Sequence, residues 1–257
     1  MTENTSQRYA QHIRLPEIGT AGQERLRAAR VLVVGLGGLG SPAALYLAAA
    51  GVGTIGVVDD DTVCLSNLQR QVIHDETQIG RKKVDSAMRR IHKLNSDVRV
   101  VSYAERFDAR NAAALAEGYS VIVDGTDNFD TRYAISDACL HLGIPYVYGA
   151  VFRFEGQVSL LCVPNAPCYR CLFPKPPPPD TVKTIEQAGI LGSVPGTIGT
   201  LQATEVVKHI VGFGTSLAGR LLVYDAFSGA LEAIAIDRNP VCPACGESAN
   251  SPTTCEK

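Results

Sequence analysis

Four of the eight cysteines stand in two CxxC pairs, Cys168-Tyr-Arg-Cys171 and Cys242-Pro-Ala-Cys245. Each two-residue spacer lets one turn offer both sulfurs to a single ion, so the pairs together can supply four thiolates at tetrahedral positions. Zinc suits that donor set, and with about seventy residues between the pairs it would staple two distant chain segments. A closed four-thiolate shell leaves no open position for water, so the expected role is structural. The bland alternative is four buried or free thiols. Cys64, Cys139, Cys162 and Cys255 have no partner at metal spacing; Cys139, in a helical segment, and Cys162, within a strand, read as packing residues.

A second constellation lies upstream. Gly35-Leu-Gly37-Gly38-Leu-Gly40 comes after an apolar run at 30–34 and opens an alanine-rich helix at 41–50. Glycines let backbone amides approach a phosphate, and a helix N-terminus adds a favourable dipole. Such a turn also serves tight strand–helix packing without a ligand, so the phosphate reading depends on the residues downstream of it. Asp59, nineteen residues after Gly40, sits where a carboxylate would accept hydrogen bonds from ribose hydroxyls. Asp60 and Asp61 fit a solvated cap, with Asp61 kept as a candidate nucleotide ligand. Next come Ser66-Asn67-Leu68-Gln69-Arg70-Gln71, then Lys82-Lys83, then Asp124-Gly-Thr-Asp127-Asn128. Arg70 and Lys83 can neutralise a triphosphate, and Asp127 at a strand's carboxyl end can hold magnesium. Each could equally be a polar side chain in solvent, Lys83 above all, beside Lys82. An NAD-dependent oxidoreductase would rest on the glycine loop alone and has little use for the rest.

These residues need a scaffold. Strand at 30–34, turn, helix and strand at 54–58 make the first half of a dinucleotide-binding fold. Apolar runs at 98–101, 121–123 and 146–148, separated by helical segments at 84–94 and 131–142, extend it as a parallel sheet. After Gly149 the texture changes: 151–154 and 157–163, joined only by Glu155-Gly156, read as antiparallel strands. The prolines of 174–179 favour extended backbone, so 173–194 reads as a long crossover across the surface. A helix at about 197–211 and strands near 221–224 and 231–236 complete the pattern.

Composition narrows the class. The chain has 257 residues, a net charge of -2 and a pI near 6.2, with no basic stripe, which argues against nucleic acid or a membrane surface as partner. No apolar run reaches spanning length and the first thirty residues carry no leader-like core, so a cytoplasmic protein is expected. Thiols in a reducing compartment favour metal binding over disulfides.

With these pieces in place the chain resembles the sulfur-carrier adenylyltransferases of the MoeB and ThiF type, relatives of the ubiquitin-activating enzymes. Arg8-Tyr9, 15–19, 35–40, 66–71, 126–128, 154–157 and both CxxC pairs match in order, over about residues 7 to 247. The resemblance implies an α/β, Rossmann-like three-layer fold with one continuous sheet of about eight strands, parallel then antiparallel, in a homodimer. It implies an N-terminal helical segment at 1–28, one adenylation domain at 29–247 and a disordered tail at 248–257. ATP would lie along Gly35, Gly37, Gly38 and Gly40, with Asp59 on the ribose, Asn67, Arg70 and Lys83 on the phosphates, and Asp127 on magnesium. The substrate would be the C-terminal Gly-Gly carboxylate of a small ubiquitin-like carrier. That carboxylate is ionised at neutral pH, so attack on the α-phosphate needs no general base.

The chain departs from the pattern at two positions. Many relatives carry a cysteine in the crossover, where Thr181-Val-Lys-Thr184-Ile185-Glu-Gln-Ala-Gly189-Ile-Leu-Gly192 has Ile185. Isoleucine is no nucleophile, so covalent capture of the carrier is excluded there and sulfur is expected from a donor in trans. Cys64 or Cys255 would serve only if folded towards the site. The family's RYxR arginine, which reaches the partner subunit's triphosphate, is Gln11 here, unless Arg8 or Arg14 replaces it. The sequence as read stops at Lys257 without the sulfurtransferase domain that some relatives append. A catalytically weak member that only binds a carrier is the runner-up reading.

Overall fold

The computed structural model describes residues 7–178, 181 and 184–246. Eight strands form one sheet: β1 (Arg30–Val34), β2 (Thr54–Val58), β3 (Arg99–Tyr103), β4 (Val121–Asp124), β5 (Tyr146–Phe152), β6 (Glu155–Leu161), β7 (Arg220–Asp225) and β8 (Ala230–Ala235). The spatial order is β3-β2-β1-β4-β5-β6-β7-β8, parallel from β3 through β5 and antiparallel from β5 to β8. The central strands are runs of Val, Ile and Leu because both of their faces are covered. Val31 and Val33 point into one core cluster and Leu32 and Val34 into the other, as period-2 alternation requires.

The helices described are α1 (Ala10–Ile13), α2 (Gly19–Ala28), α3 (Gly40–Ala50), α4 (Lys83–Leu94), α5 (Ala112–Ala116), α6 (Phe129–Leu142), α7 (Tyr169–Leu172), α8 (Ile185–Ala188) and α9 (Ser193–Val211). Residues of α2, α3, α4 and α9 fill the first core cluster, and residues of α5 and α6 the second. In α4 the buried Val84, Ala87 and Ile91 recur at helical spacing while Arg89, Arg90 and Lys93 stay exposed, so one stripe seats the helix. The Asn128 side chain accepts from Thr131 N at 2.9 Å and caps α6, and Gly143 ends that helix at φ 67.

The hairpin link and the start of the long helix α9 differ most from the sequence reading. The 151–154 and 157–163 runs are not separate strands around Glu155-Gly156: β5 continues to Phe152, Glu155 already pairs with Phe152, and the link is Arg153-Phe154. Arg153 takes φ 54, the left-handed value a two-residue hairpin needs at its first position, usually given to glycine. Cys162 accordingly falls one residue beyond β6, also at positive φ. Helix α9 starts at Ser193, because Pro195 sits in its first turn where no intrahelical N–H is lost. The crossover at 173–194 carries the short α8, opened by a capping box between Thr184 and Gln187. The tail expected at 248–257, Cys255 included, lies outside the described residues.

Candidate functional site

The register pairs Val34 with Val58 and with Asp124, so β1, β2 and β4 end together at one edge of the sheet. There the chain must turn from β1 into α3 with no room to spare. Gly35 has φ 88, and its N–H donates to Val58 O at 2.8 Å. A Cβ on Gly40 would stand 1.8 Å from the Gly35 carbonyl oxygen, so only glycine lets α3 start against the loop. A cavity of about 510 Å³ opens at this edge, where ligands bind in open α/β sheets.

Its wall contains Gly35, Gly37, Gly38, Asp59, Asp61, Arg70, Lys83 and Asp127. Gly40 and Asn67 stand outside it: Gly40 packs beneath the loop, and the Asn67 carbonyl, at the end of a 3-10 turn, accepts from Arg70 N and Gln71 N at 3.1 and 3.0 Å. Asp59 Oδ2 accepts from Leu36 N at 2.7 Å and Oδ1 from Asp61 N at 2.9 Å. Burial raises the Asp59 pKa, against the opposing charge of Lys83 and those two N–H groups. The Lys83 side chain is buried, 6% exposed, and its ammonium meets Asp61 Oδ2 at 2.8 Å, whereas the Asp61 side chain is 68% exposed. Asp61 therefore holds Lys83 from within the cavity wall. Arg70 donates to Ser66 O at 3.2 Å, and Asp127 projects an exposed carboxylate into the cavity.

Sequence reasoning missed the support under Asp127. Asp124 is fully buried, accepts from Thr126 N, Thr126 Oγ1 and Tyr146 OH at 2.9, 2.6 and 2.6 Å, and pairs with Arg132 at 3.6 Å. Burial raises its pKa and the Arg132 charge lowers it. Arg132 also donates to Thr126 O at 3.1 Å, and Gln202 of α9 donates to Asp124 O at 2.7 Å. The turn that presents Asp127 is thus tied to β5, α6 and α9. An acid three residues before another, at a strand end, was the available signal; its partners are far apart in sequence. Gln71, buried in the cavity wall with Oε1 unpartnered, was also passed over.

The far end of the cavity is formed by Ala150, Phe152, Gly156 and Gln157 from the β5–β6 hairpin and by Thr184, Ile185 and Ile190 from the crossover. Ile185 faces the cavity. Cys64 is exposed and outside the wall, and Cys139 is buried in the second core cluster. Burial pushes the Cys162 thiol up to about 12. At the N-terminus Arg14 donates to the Gln11 side chain at 3.5 Å and Arg8 to Leu94 O at 3.1 Å; none of the three lines the cavity.

Away from the cavity, Cys168, Cys171, Cys242 and Cys245 converge. Their sulfurs lie within 4.8 Å of one another, with Cys168–Cys171 at 3.8 Å, Cys168–Cys242 at 3.6 Å and Cys171–Cys245 at 3.4 Å. Four sulfurs about 2.3 Å from a tetrahedral ion stand about 3.8 Å apart, so the set fits one ion without rearrangement. Asn239 N donates to the Cys171 sulfur at 3.4 Å, and Tyr169, between the first two cysteines, packs on Tyr133 and Tyr148.

Fold and cavity together define a nucleotide-binding α/β protein whose sheet turns antiparallel beyond the site and carries a four-cysteine cluster. The chain belongs to the ThiF family, whose model matches residues 9–244. It is 50% identical over 240 residues to the SAMP-activating enzyme E1 of Haloferax volcanii, covering 93% of this chain and 88% of that one. It is 45% identical over 251 residues to the sulfur carrier protein adenylyltransferase of Thermus thermophilus, covering 96% and 93%. The match to the bovine adenylyltransferase and sulfurtransferase MOCS3, 50% identical, covers 93% of this chain and 53% of that longer protein. Among solved structures, Escherichia coli MccB superposes with a TM-score of 0.83 at 22% identity, covering 96% of this chain and 73% of that one, a likeness of fold. Among the described residues no helix is long and apolar enough to cross a membrane.

Proposed function

We propose that this protein adenylates the C-terminal Gly-Gly carboxylate of a small ubiquitin-like sulfur carrier, using ATP and releasing pyrophosphate. The observation that carries the reading is one cavity with two ends: glycine loop, Asp59, Arg70, Lys83 and Asp127 at one, and Gly156 of the hairpin with Ile185 of the crossover at the other. The first end suits a nucleotide triphosphate and the second an extended tail lacking side chains. The names of the two relatives it covers almost entirely agree with that chemistry.

Asp59 holds the ribose, accepting from its hydroxyls on the lone pairs that the Leu36 and Asp61 N–H groups leave free, while the glycine-loop amides, Arg70 and Lys83 neutralise the phosphates. The carrier carboxylate attacks the α-phosphorus in line, the bond to the bridging oxygen breaks, and pyrophosphate departs. Catalysis is then positioning plus charge stabilisation, without a general base. The exposed Asp127 carboxylate offers the hard oxygen magnesium prefers, and the ion would neutralise charge on the triphosphate. The four cysteines would hold zinc as a structural staple between α7 and the segment at 239–246. Because Ile185 occupies the crossover position, the carrier leaves as a free acyl-adenylate and sulfur comes from a separate donor. A homodimer fits the family, with Gln11 in place of a charged contribution from the partner.

The test is exchange of labelled pyrophosphate into ATP with the cognate carrier. Carrier-dependent exchange is expected; ATP binding without exchange would leave a carrier-binding module instead.

A further inference from the structure

We propose that His74 is a positioning residue of the nucleotide site, locking the glycine loop to the helix that carries Lys83. The inference rests on the reading of the cavity as an ATP site. His74 lies between the two 3-10 turns Leu65–Asn67 and Glu76–Gln78, buried to 6% exposure and behind the cavity wall. Its Nε2 is 3.2 Å from Leu36 O, in the glycine loop, and its Nδ1 is 2.9 Å from Ser86 Oγ, in the first turn of α4.

Burial holds the imidazole neutral, with a pKa down at about 4, so one ring nitrogen donates and the other accepts. A carbonyl only accepts. Nε2–H therefore donates to Leu36 O and the Ser86 hydroxyl donates to Nδ1. The Leu36 C=O shares a rigid trans peptide plane with the Gly37 N–H and points the opposite way. Holding that carbonyl from behind, together with Ser41 Oγ at 3.2 Å, fixes the direction in which the Gly37 amide faces, and Gly37 is in the cavity wall.

The connection closes on itself. Leu36 N donates to Asp59 Oδ2 at 2.7 Å, Asp61 N donates to Asp59 Oδ1 at 2.9 Å, and Asp61 Oδ2 holds the Lys83 ammonium at 2.8 Å. Ser86 is one helical turn from Lys83. Ribose acid, phosphate-facing amides and phosphate-neutralising lysine are thus set against one another through a ring that His74 closes across the loop–helix gap. None of its atoms needs to touch the nucleotide, yet an error of about 1 Å in such groups can cost on the order of 100-fold in rate.

The experiment compares His74→Gln, His74→Asn, His74→Leu and Ser86→Ala in the full chain. It measures ATP affinity without carrier, kcat and KM of carrier-dependent pyrophosphate exchange, and Tm. Glutamine can place an N–H near the Nε2 position and keep the Leu36 contact; asparagine reaches only towards Ser86. Expected are ATP affinity down about tenfold and kcat down about 10- to 100-fold in the Leu variant, with Asn close to it. The Gln variant should stay within about threefold of wild type, and Ser86→Ala should fall between, whatever the order of Tm values. Equal impairment of Gln and Leu variants, or activity that simply tracks Tm, overturns the proposal. If the Leu variant does not fold, Ser86→Ala within twofold of wild type on both readouts overturns it as well. Should wild type show no exchange, the adenylation reading fails, while ATP affinity across the series still decides the role of His74.

Discussion

Asp127 and Lys83 face the same cavity but answer to different constraints. Lys83 is nearly enclosed and already matched by Asp61, so its charge is fixed in place before any nucleotide arrives. Asp127 is exposed, and nothing in the hydrophobic core depends on it. Asp127→Ala should therefore abolish pyrophosphate exchange with Tm unchanged within about 1 °C, consistent with the small stability effects of exposed substitutions; measuring both on one preparation checks the separation. His74 adds a prediction in pH. Its unfolded value is 6.5, and in the fold burial, helped by Lys83 and opposed by the Leu36 contact and Asp75, lowers it to about 4. Between those values the unfolded chain binds the extra proton, so stability falls as pH drops from about 6.5 to about 4, by at most about 3 kcal/mol. Urea unfolding at pH 7 and pH 5 should show a smaller pH difference for His74→Gln than for wild type. Asp59 and Asp124, with raised values, push the other way and act equally in both proteins.

At the scale of elements, the strand ends and the two knuckles carry the site. The Tyr146 hydroxyl on β5 reaches Asp124 at the end of β4, and the pair keeps the turn to Asp127 in place. Tyr146→Phe removes that donor from a fully buried carboxylate and should cost about 1–3 kcal/mol, read by denaturant midpoint. The knuckles join α7 to residues 242–245, and Tyr169 brings that junction against the aromatic residues beside Arg132. Cys171→Ser or Cys245→Ser should lower zinc content below one per chain by elemental analysis and cost several kcal/mol. Full metal and unchanged stability in both variants would remove the four-thiolate assignment.

Across the whole molecule, the parallel half supplies the glycine-loop end of the cavity, and the antiparallel half with the crossover supplies the other end. On the proposed reading, the chemistry happens where the two meet. Ile185 lines the crossover end of the cavity and is no nucleophile, so intact-mass analysis of a reaction with carrier and ATP should show adenylated carrier and no covalent enzyme–carrier adduct. An adduct that survives in Cys64→Ser but vanishes on reduction would point to another thiol.

Local spacing alone picked out the glycine loop, Asp59, the cations Arg70 and Lys83, and Asp127, all of which line the cavity, and the paired CxxC turns. Each of these is a short-range constraint: a turn that only glycine permits, a carboxylate at a strand tip, two thiols one turn apart. Period-2 and period-3.6 patterns likewise set the strand and helix order. Sequence could not see which distant residues close the gaps between those pieces. The Asp124 ring joins β4, β5, α6 and α9, and His74 joins the glycine loop to α4 across 38 residues to Leu36 and 12 to Ser86. The hairpin link at Arg153-Phe154, the start of α9 and the withdrawal of Gly40 and Asn67 from the cavity wall came from packing as well. Local propensity chooses elements, whereas burial requires each enclosed polar group to find its partner wherever the chain has brought one, and only the tertiary structure decides that.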